Sequence, residues 1–180
     1  MDIPPDTKDW TWVLTRPCEE CGFDPRQPDR AELPAIAEAL GTRWLTVLQA
    51  DGDVRLRPEP LTWSRLEYAC HVRDVFDLAD YRVHLMLEED KPVFANWDQD
   101  ATAVEKDYNS ADPAAVGSQI VERASVLSST LEVVTDDQWA RQGFRSDGAT
   151  FTVESFARYL LHDPIHHLTD VSHSRWDATN

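Results

Sequence analysis

The sequence predicts an all-α protein. It reads as a four-helix bundle over residues 34–180, with an irregular N-terminal segment, residues 1–33, packed on it. Three observations carry that expectation. Four long segments place apolar residues three and four positions apart, the spacing of one helix face. Each segment opens on a pattern suited to a helix start. Strand signal is slight throughout. Such elements bury their apolar faces most simply against one another, as an antiparallel or crossover bundle.

The segment before residue 34 is irregular by local signals, with Pro4, Pro5, Pro17, Pro25, Pro28 and Gly22 spread through it. Trp10 and Trp12 are too apolar for a free tail, which predicts that it packs along the domain. A first helix starts at Leu33-Pro34, since proline suits a first turn, and runs to about Gln49 on Ile36, Leu40, Trp44, Val47 and Leu48. Gly41 weakens it modestly. A second helix starts at Ser64, where Glu67 three residues on completes a capping box, and runs to about Glu88. Residues 90–112 read as a long loop or broken segment. Asp112-Pro113 then joins an N-cap to a first-turn proline, and a third helix runs through Val116, Ile120, Ala124, Leu127 and Leu131 to about Val134. Thr135 and Gln138 cap a short turn carrying Trp139. The stretch RQGFRSDGATF holds an Asp-Gly turn and suits a small hairpin or irregular crossing. Thr152 caps the last helix, which ends near Ser174.

Composition narrows the partners. The 180 residues make one domain of ordinary size, with 33 acidic against 17 basic residues and a formal charge of −16. Nucleic acids and anionic membranes call for clustered Lys and Arg, so neither is expected as a partner. The N-terminus has neither a basic nor an apolar leader region, and no apolar run has the length to cross a bilayer. Three cysteines do not make a disulfide framework. A soluble, cytoplasmic protein acting on a small molecule is the expectation, with a homodimer as a further one.

The last helix holds four of the six histidines. Phe156, Leu160, Asp163, His167 and Val171 form one stripe, which Ala157, Leu161, Pro164 and Leu168 widen into an apolar arc. A carboxylate and an imidazole thus sit one turn apart on the face that looks buried. His162 and His166 make a second pair four apart, on the more polar face of Ser155, Arg158, Tyr159 and Thr169. Two readings compete. Asp163 and His167 are metal ligands facing into the bundle, with His162 and His166 on its rim; or His162 and His166 are the ligands and His167 is a core histidine. Face geometry favours the first, although Pro164 blurs the angular argument. His71 lies two turns into the second helix, where it is either a core histidine or a ligand whose partners come from another helix. A bundle with no metal, its histidines satisfying core hydrogen bonds, is a third possibility.

Other candidates are weaker. Cys18 and Cys21 form a CxxC with no second CxxC to complete a four-ligand zinc site. As a redox dithiol they are opposed by the flanking Glu19 and Glu20. They are read as a candidate dithiol, a metal pair or ordinary thiols. Cys70 points about 100° away from its neighbour His71 and reads as core. His84 and His173 read as solvent-facing. Trp97 and Tyr108 suit either a pocket mouth or plain packing. No phosphate loop, nucleophile elbow or HExxH motif occurs.

The phrase WSRLEYACHV, Trp63 to Val72, resembles the second-helix motif of the DinB/YfiT-like metal-binding bundles, in which a ligand histidine follows the serine by seven residues. The last helix is similar to the family's closing helix, where a threonine cap leads to two ligands four apart and then a glutamine or aspartate. With Thr152 as the cap and Asp170 in the glutamine place, His167 falls on the second ligand and Asp163 on the first. The usual first ligand is histidine, so the aspartate is a departure, and His162 and His166 stay as the fallback pair. The resemblance covers roughly residues 34–172.

It implies a DinB-type bundle binding a divalent metal through His71, Asp163 and His167, a donor set suited to zinc, nickel or iron. It also implies that a low-molecular-weight thiol of mycothiol type is the nucleophile. The expected activity is then a metal-dependent thiol S-transferase or related small-molecule enzyme. The alternative is a non-catalytic metal- or ligand-binding stress-response bundle. Asp74, one turn from His71, is a candidate to orient that imidazole.

Overall fold

The computed structural model describes residues 9–172, 175 and 176. Five α-helices and a small sheet follow in the order α1 (Leu33–Gln49), α2 (Arg65–Glu88), β1 (Val93–Phe94), α3 (Gln99–Glu105), α4 (Pro113–Glu132), β2 (Gln142–Arg145), β3 (Thr150–Thr152) and α5 (Val153–Ser172). The four long helices are those the periodicity predicts, but the protein is not strictly all-α. The sheet has the order β1-β2-β3, with β1 parallel and β3 antiparallel to β2. No helix among the described residues is long and apolar enough to cross a membrane. His173 and Ser174 lie outside the described residues.

Each long helix starts where its caps dictate. At α2 the Ser64 hydroxyl accepts from the Glu67 N–H, and the Glu67 carboxylate accepts from the Ser64 N–H at 2.8 Å. At α5 the Thr152 hydroxyl accepts from the Ser155 N–H at 3.1 Å. Asp112 caps α4. Pro164 sits inside α5, which continues through it to Ser172; its carbonyl accepts the Trp44 indole N–H at 3.1 Å. The bond ties α1 to α5 beside the histidines.

α1 packs most extensively along α4, and α2 lies against α4 and α5. Gly41 enables the first of these contacts. A Cβ there would lie 2.8 Å from the Ala124 Cβ and 3.3 Å from the Val121 Cα. The glycine that weakens α1 on propensity is therefore required for close approach. The core runs from Leu40, Trp44, Leu66, Phe76, Val83 and Met86 through Ile120 and Leu131 to Phe156, Leu161 and Ile165. The N-terminal segment joins it, with Val13, Cys18, Cys21 and Phe23 all buried.

Residues 90–112, expected as a loop or broken segment, carry β1, α3 and a 3-10 turn at Tyr108–Ser110. These pieces are too short to show a period. The Asp98 side chain caps α3 by accepting from the Ala101 N–H at 2.9 Å. β2 and β3 form the hairpin around Gly148, and β1 adds to it because Phe94, Phe151 and Phe156 close one end of the bundle.

Two predictions follow from this packing. Glu67 is almost fully buried and ion-pairs with Arg57. Burial raises its carboxyl, yet Arg57 and Ser64 together bring it below its ordinary value of 4.5. A depressed folded-state value gives stability that is present in full above that ordinary value and lost as pH falls below it. Glu67→Gln should cost about 1.5–3 kcal/mol at neutral pH. In urea titrations its gap to wild type should narrow below about pH 4.5, whereas a gap independent of pH would refute the pairing. Gly41→Ala should lower Tm although alanine is the better helix former by about 1 kcal/mol, because overpacking costs about 1–3 kcal/mol. Adding Ala124→Gly should restore part of the loss.

Candidate metal centre

α2 and α5 bring together the residues that the last-helix stripe and His71 put forward. His71 is fully buried, and its Nε2 lies 3.1 Å from Asp163 Oδ1. His167 Nε2 approaches the same oxygen at 3.7 Å, and the two rings meet edge to face with centroids 5.0 Å apart. One donor atom from each of the three lies within 4.8 Å of the other two. Donors sharing a tetrahedral ion with bonds near 2.1 Å stand about 3.4 Å apart. The observed spacings bracket that value, so the donor set fits a single divalent cation.

The surroundings favour ligation. His167 Nδ1 is held by Asp170 Oδ2 at 2.8 Å, which fixes the ring and leaves Nε2 for the cluster. Burial raises the Asp163 carboxyl, but the adjacent His71 and His167 outweigh it and hold the group far below the usual carboxylate range. Asp163 is thus an anion in a half-buried place. His71 is fixed by rings: Trp97 stacks on it at 5.4 Å with an 8° interplanar angle, and Trp63 leans on it at 5.4 Å. Its Nδ1 is buried with no hydrogen-bond partner among the described residues. Tyr68 packs on His167 at 4.9 Å.

Asp74 does not orient His71. Its carboxylate accepts from Arg73 Nε at 2.8 Å, Lys106 Nζ at 2.8 Å and the Tyr108 hydroxyl at 2.6 Å. Burial raises this carboxyl, and those three partners bring it below its ordinary value. Tyr108 is correspondingly a buried core residue and lines neither cleft described below. The spacing of Asp74 from His71 was right for contact along a helix, but the chain returning through Lys106 and Tyr108 offers it stronger partners. Cys70 is core, its thiol pushed up to about 11 by burial. His84 is exposed, bonded to the Asp80 carbonyl at 2.9 Å.

His162 and His166 line the smaller cleft described below, but their donor atoms do not join those of His71. Both are buried, under the N-terminal segment, and their donor atoms converge with those of Cys18 and Cys21. The polar look of their face misled because its cover comes from residues with no helical period. Cys21 is desolvated enough that its thiol is pushed up to about 12, the opposite of a reactive thiolate.

Two clefts meet at Asp163. The smaller, of about 280 Å³, is lined by Trp10, Trp63, Tyr68, Asp100, His167 and Asp170 among others. The larger, of about 460 Å³, runs along Trp97, Asn96, Arg82, Arg145 and Tyr159. Arg82 is buried, donates to the Ala95 carbonyl at 2.6 Å and lies over the Phe94 ring. Burial, with Arg145 nearby, lowers it to about 10. Sequence reasoning passed over Trp10, Tyr68, Arg82 and Arg145 as cleft residues, since they come from the N-terminal segment, α2 and β2 and no local pattern joins them.

The fold has known counterparts. YfiT from Bacillus subtilis, a probable metal-dependent hydrolase with an unusual four-helix bundle topology, aligns with a TM-score of 0.73 at 21% identity, over 84% of this chain and 92% of that one. A crystal structure of the mycothiol-dependent maleylpyruvate isomerase aligns with a TM-score of 0.64 at 12% identity, over 82% of this chain and 62% of that one. At these identities the likeness is one of fold. Comparison with curated proteins gives no match. The family model of the DinB superfamily matches residues 29–171, which include α1, α2, α4 and nearly all of α5 with His71, Asp163 and His167, and the chain belongs to that superfamily.

Proposed function

We propose that His71, Asp163 and His167 hold a catalytic divalent cation of zinc, nickel or iron type, and that the protein is a metal-dependent small-molecule enzyme of thiol S-transferase type. The observation that carries this reading is the convergence of two imidazoles and one carboxylate where two clefts meet. Three protein donors leave a coordination position open, as catalytic sites do. Bound there, the cation would supply Lewis acidity, making a thiol or water more acidic.

The protein's own groups do the rest. Asp170 holds His167 in the ring orientation and tautomer that present Nε2. Trp63 and Trp97 fix the His71 ring and keep water from its faces. The aromatic walls Trp10, Tyr68 and Tyr159 suit the apolar part of a small substrate. The larger cleft mixes charges: Arg82 and Arg145 line it with Asp9, Asp98, Asp100 and Asp147, and Asp147 pairs with Arg145, which suits a polar substrate without selecting its charge. By their names YfiT is a probable metal-dependent hydrolase and the other neighbour a mycothiol-dependent isomerase, and both chemistries suit an open cation beside two clefts. Hydrolysis is the second reading. It is favoured by Asp100 in the smaller cleft, a carboxylate able to accept a proton from a bound water.

His71→Ala should remove one equivalent of metal from the purified protein by elemental analysis and abolish turnover of a model electrophile. Unchanged metal content would overturn the assignment. Asp170→Asn should keep the three donors but weaken metal affinity about 10–100-fold, measured by competition with a chelator. Turnover that depends on an added low-molecular-weight thiol selects transfer. Turnover without thiol selects hydrolysis, and none in the metal-loaded protein selects a binding role.

A further inference from the structure

The geometry points to a second, structural cation site of zinc type, formed by Cys18, Cys21, His162 and His166. Their donor atoms lie within 4.8 Å of one another, and all four side chains are buried, between 0% and 8% exposed. The Cys18 Sγ to His166 Nδ1 distance is 3.6 Å. A thiolate and an imidazole sharing a tetrahedral zinc, with bonds of 2.3 and 2.1 Å, stand about 3.6 Å apart.

Local structure preforms each half. On the N-terminal side the chain turns back on itself: the Gly22 N–H donates to the Cys18 carbonyl at 2.8 Å, and the Cys18 N–H donates to the Phe23 carbonyl at 2.9 Å. Gly22 takes φ +83°, a left-handed conformation that glycine adopts at least cost. The turn brings both thiols to one side. On α5, His162 and His166 are four residues apart and share a face. The far nitrogen of His166, Nε2, stands 3.3 Å from Glu20 Oε2 and 4.0 Å from Asp170 Oδ1. A carboxylate behind a ligating imidazole fixes its ring and raises its basicity. Trp10 covers both imidazoles, at 5.6 and 4.9 Å between centroids.

Four protein donors close the coordination sphere, which marks a structural site, and thiolate with imidazole selects zinc over harder cations. Binding releases the two thiol protons to solvent, and the two thiolates then neutralise the dication. The function of the site is to fasten the N-terminal segment to α5. It shares no donor with the cation assigned to His71, since it uses the helical pair 162/166 and that cation the pair 163/167.

The full-length protein, purified without a polyhistidine tag, decides the matter. Wild type should carry two equivalents of divalent metal by elemental analysis, at least one of them zinc. Replacing zinc with Co²⁺ should give a thiolate-to-metal charge-transfer band in the near ultraviolet. Cys18→Ser/Cys21→Ser should lose one equivalent and the band, with a lower Tm; His71→Ala should lose the other equivalent and keep the band. Should the double variant fail to fold, wild type alone suffices: zinc should protect both thiols from a thiol reagent until a chelator is added. The site is refuted by a cobalt protein without the band, by thiols equally reactive with and without zinc, or by a native Cys18–Cys21 disulfide in mass spectrometry.

Discussion

A helix turns about 100° per residue, so two donor pairs offset by one position cannot face the same ion. α5 carries such pairs, 162/166 and 163/167, and much of the arrangement around it follows from that angle. Asp163 and His167 face α2, where only His71 is placed to complete them. His162 and His166 face outward from the bundle and would stand half-solvated without a cover. The N-terminal segment supplies it, with two thiols at the point of contact and Trp10 across both rings. One helix therefore needs two unrelated partners, one from mid-chain and one from the chain start.

Buried charge in α2 is handled by pairing. Glu67 is matched by Arg57, and Asp74 by Arg73 and Lys106 with the Tyr108 hydroxyl. An unpaired carboxylate in either place would cost several kcal/mol of desolvation. These pairs tie α2 to the link before it and to the chain after α3, on both sides of His71. The histidine is held in place by its helix and by rings, with no carboxylate behind it. His167 and His166 show the other solution, each with an acid at its far nitrogen.

Much of this was legible in the sequence, for particular reasons. Ser64 with Glu67, Asp112 with Pro113, and Thr152 each mark a helix start by local chemistry, and α2, α4 and α5 begin there. The stripe of Asp163 and His167 follows from helical period alone, as does its offset from His162 and His166. What stayed hidden was long-range and aperiodic. The sheet escaped because β1 is two residues long and pairs with a strand some 50 positions on in the chain. Asp74 looked right beside His71 because spacing along a helix says nothing of Lys106 or Tyr108. The burial of His162 and His166 stayed hidden because a proline-rich segment has no period that reveals which face it will cover.

The cysteine pair shows how the last of these gaps arose. A CxxC without a second CxxC looks incomplete when ligands are counted in sequence. Counted in space, the missing pair is an imidazole couple nearly 150 positions away on α5. That placement also gives the N-terminal segment a bearing on the catalytic proposal. Trp10 lines both clefts and packs on His162 and His166. Anchoring the cysteines fixes the wall that shapes access to Asp163. On the two-cation reading, a closed site with four protein donors supplies rigidity, and the open one beside it, on adjacent residues of the same helix, is left free to do chemistry.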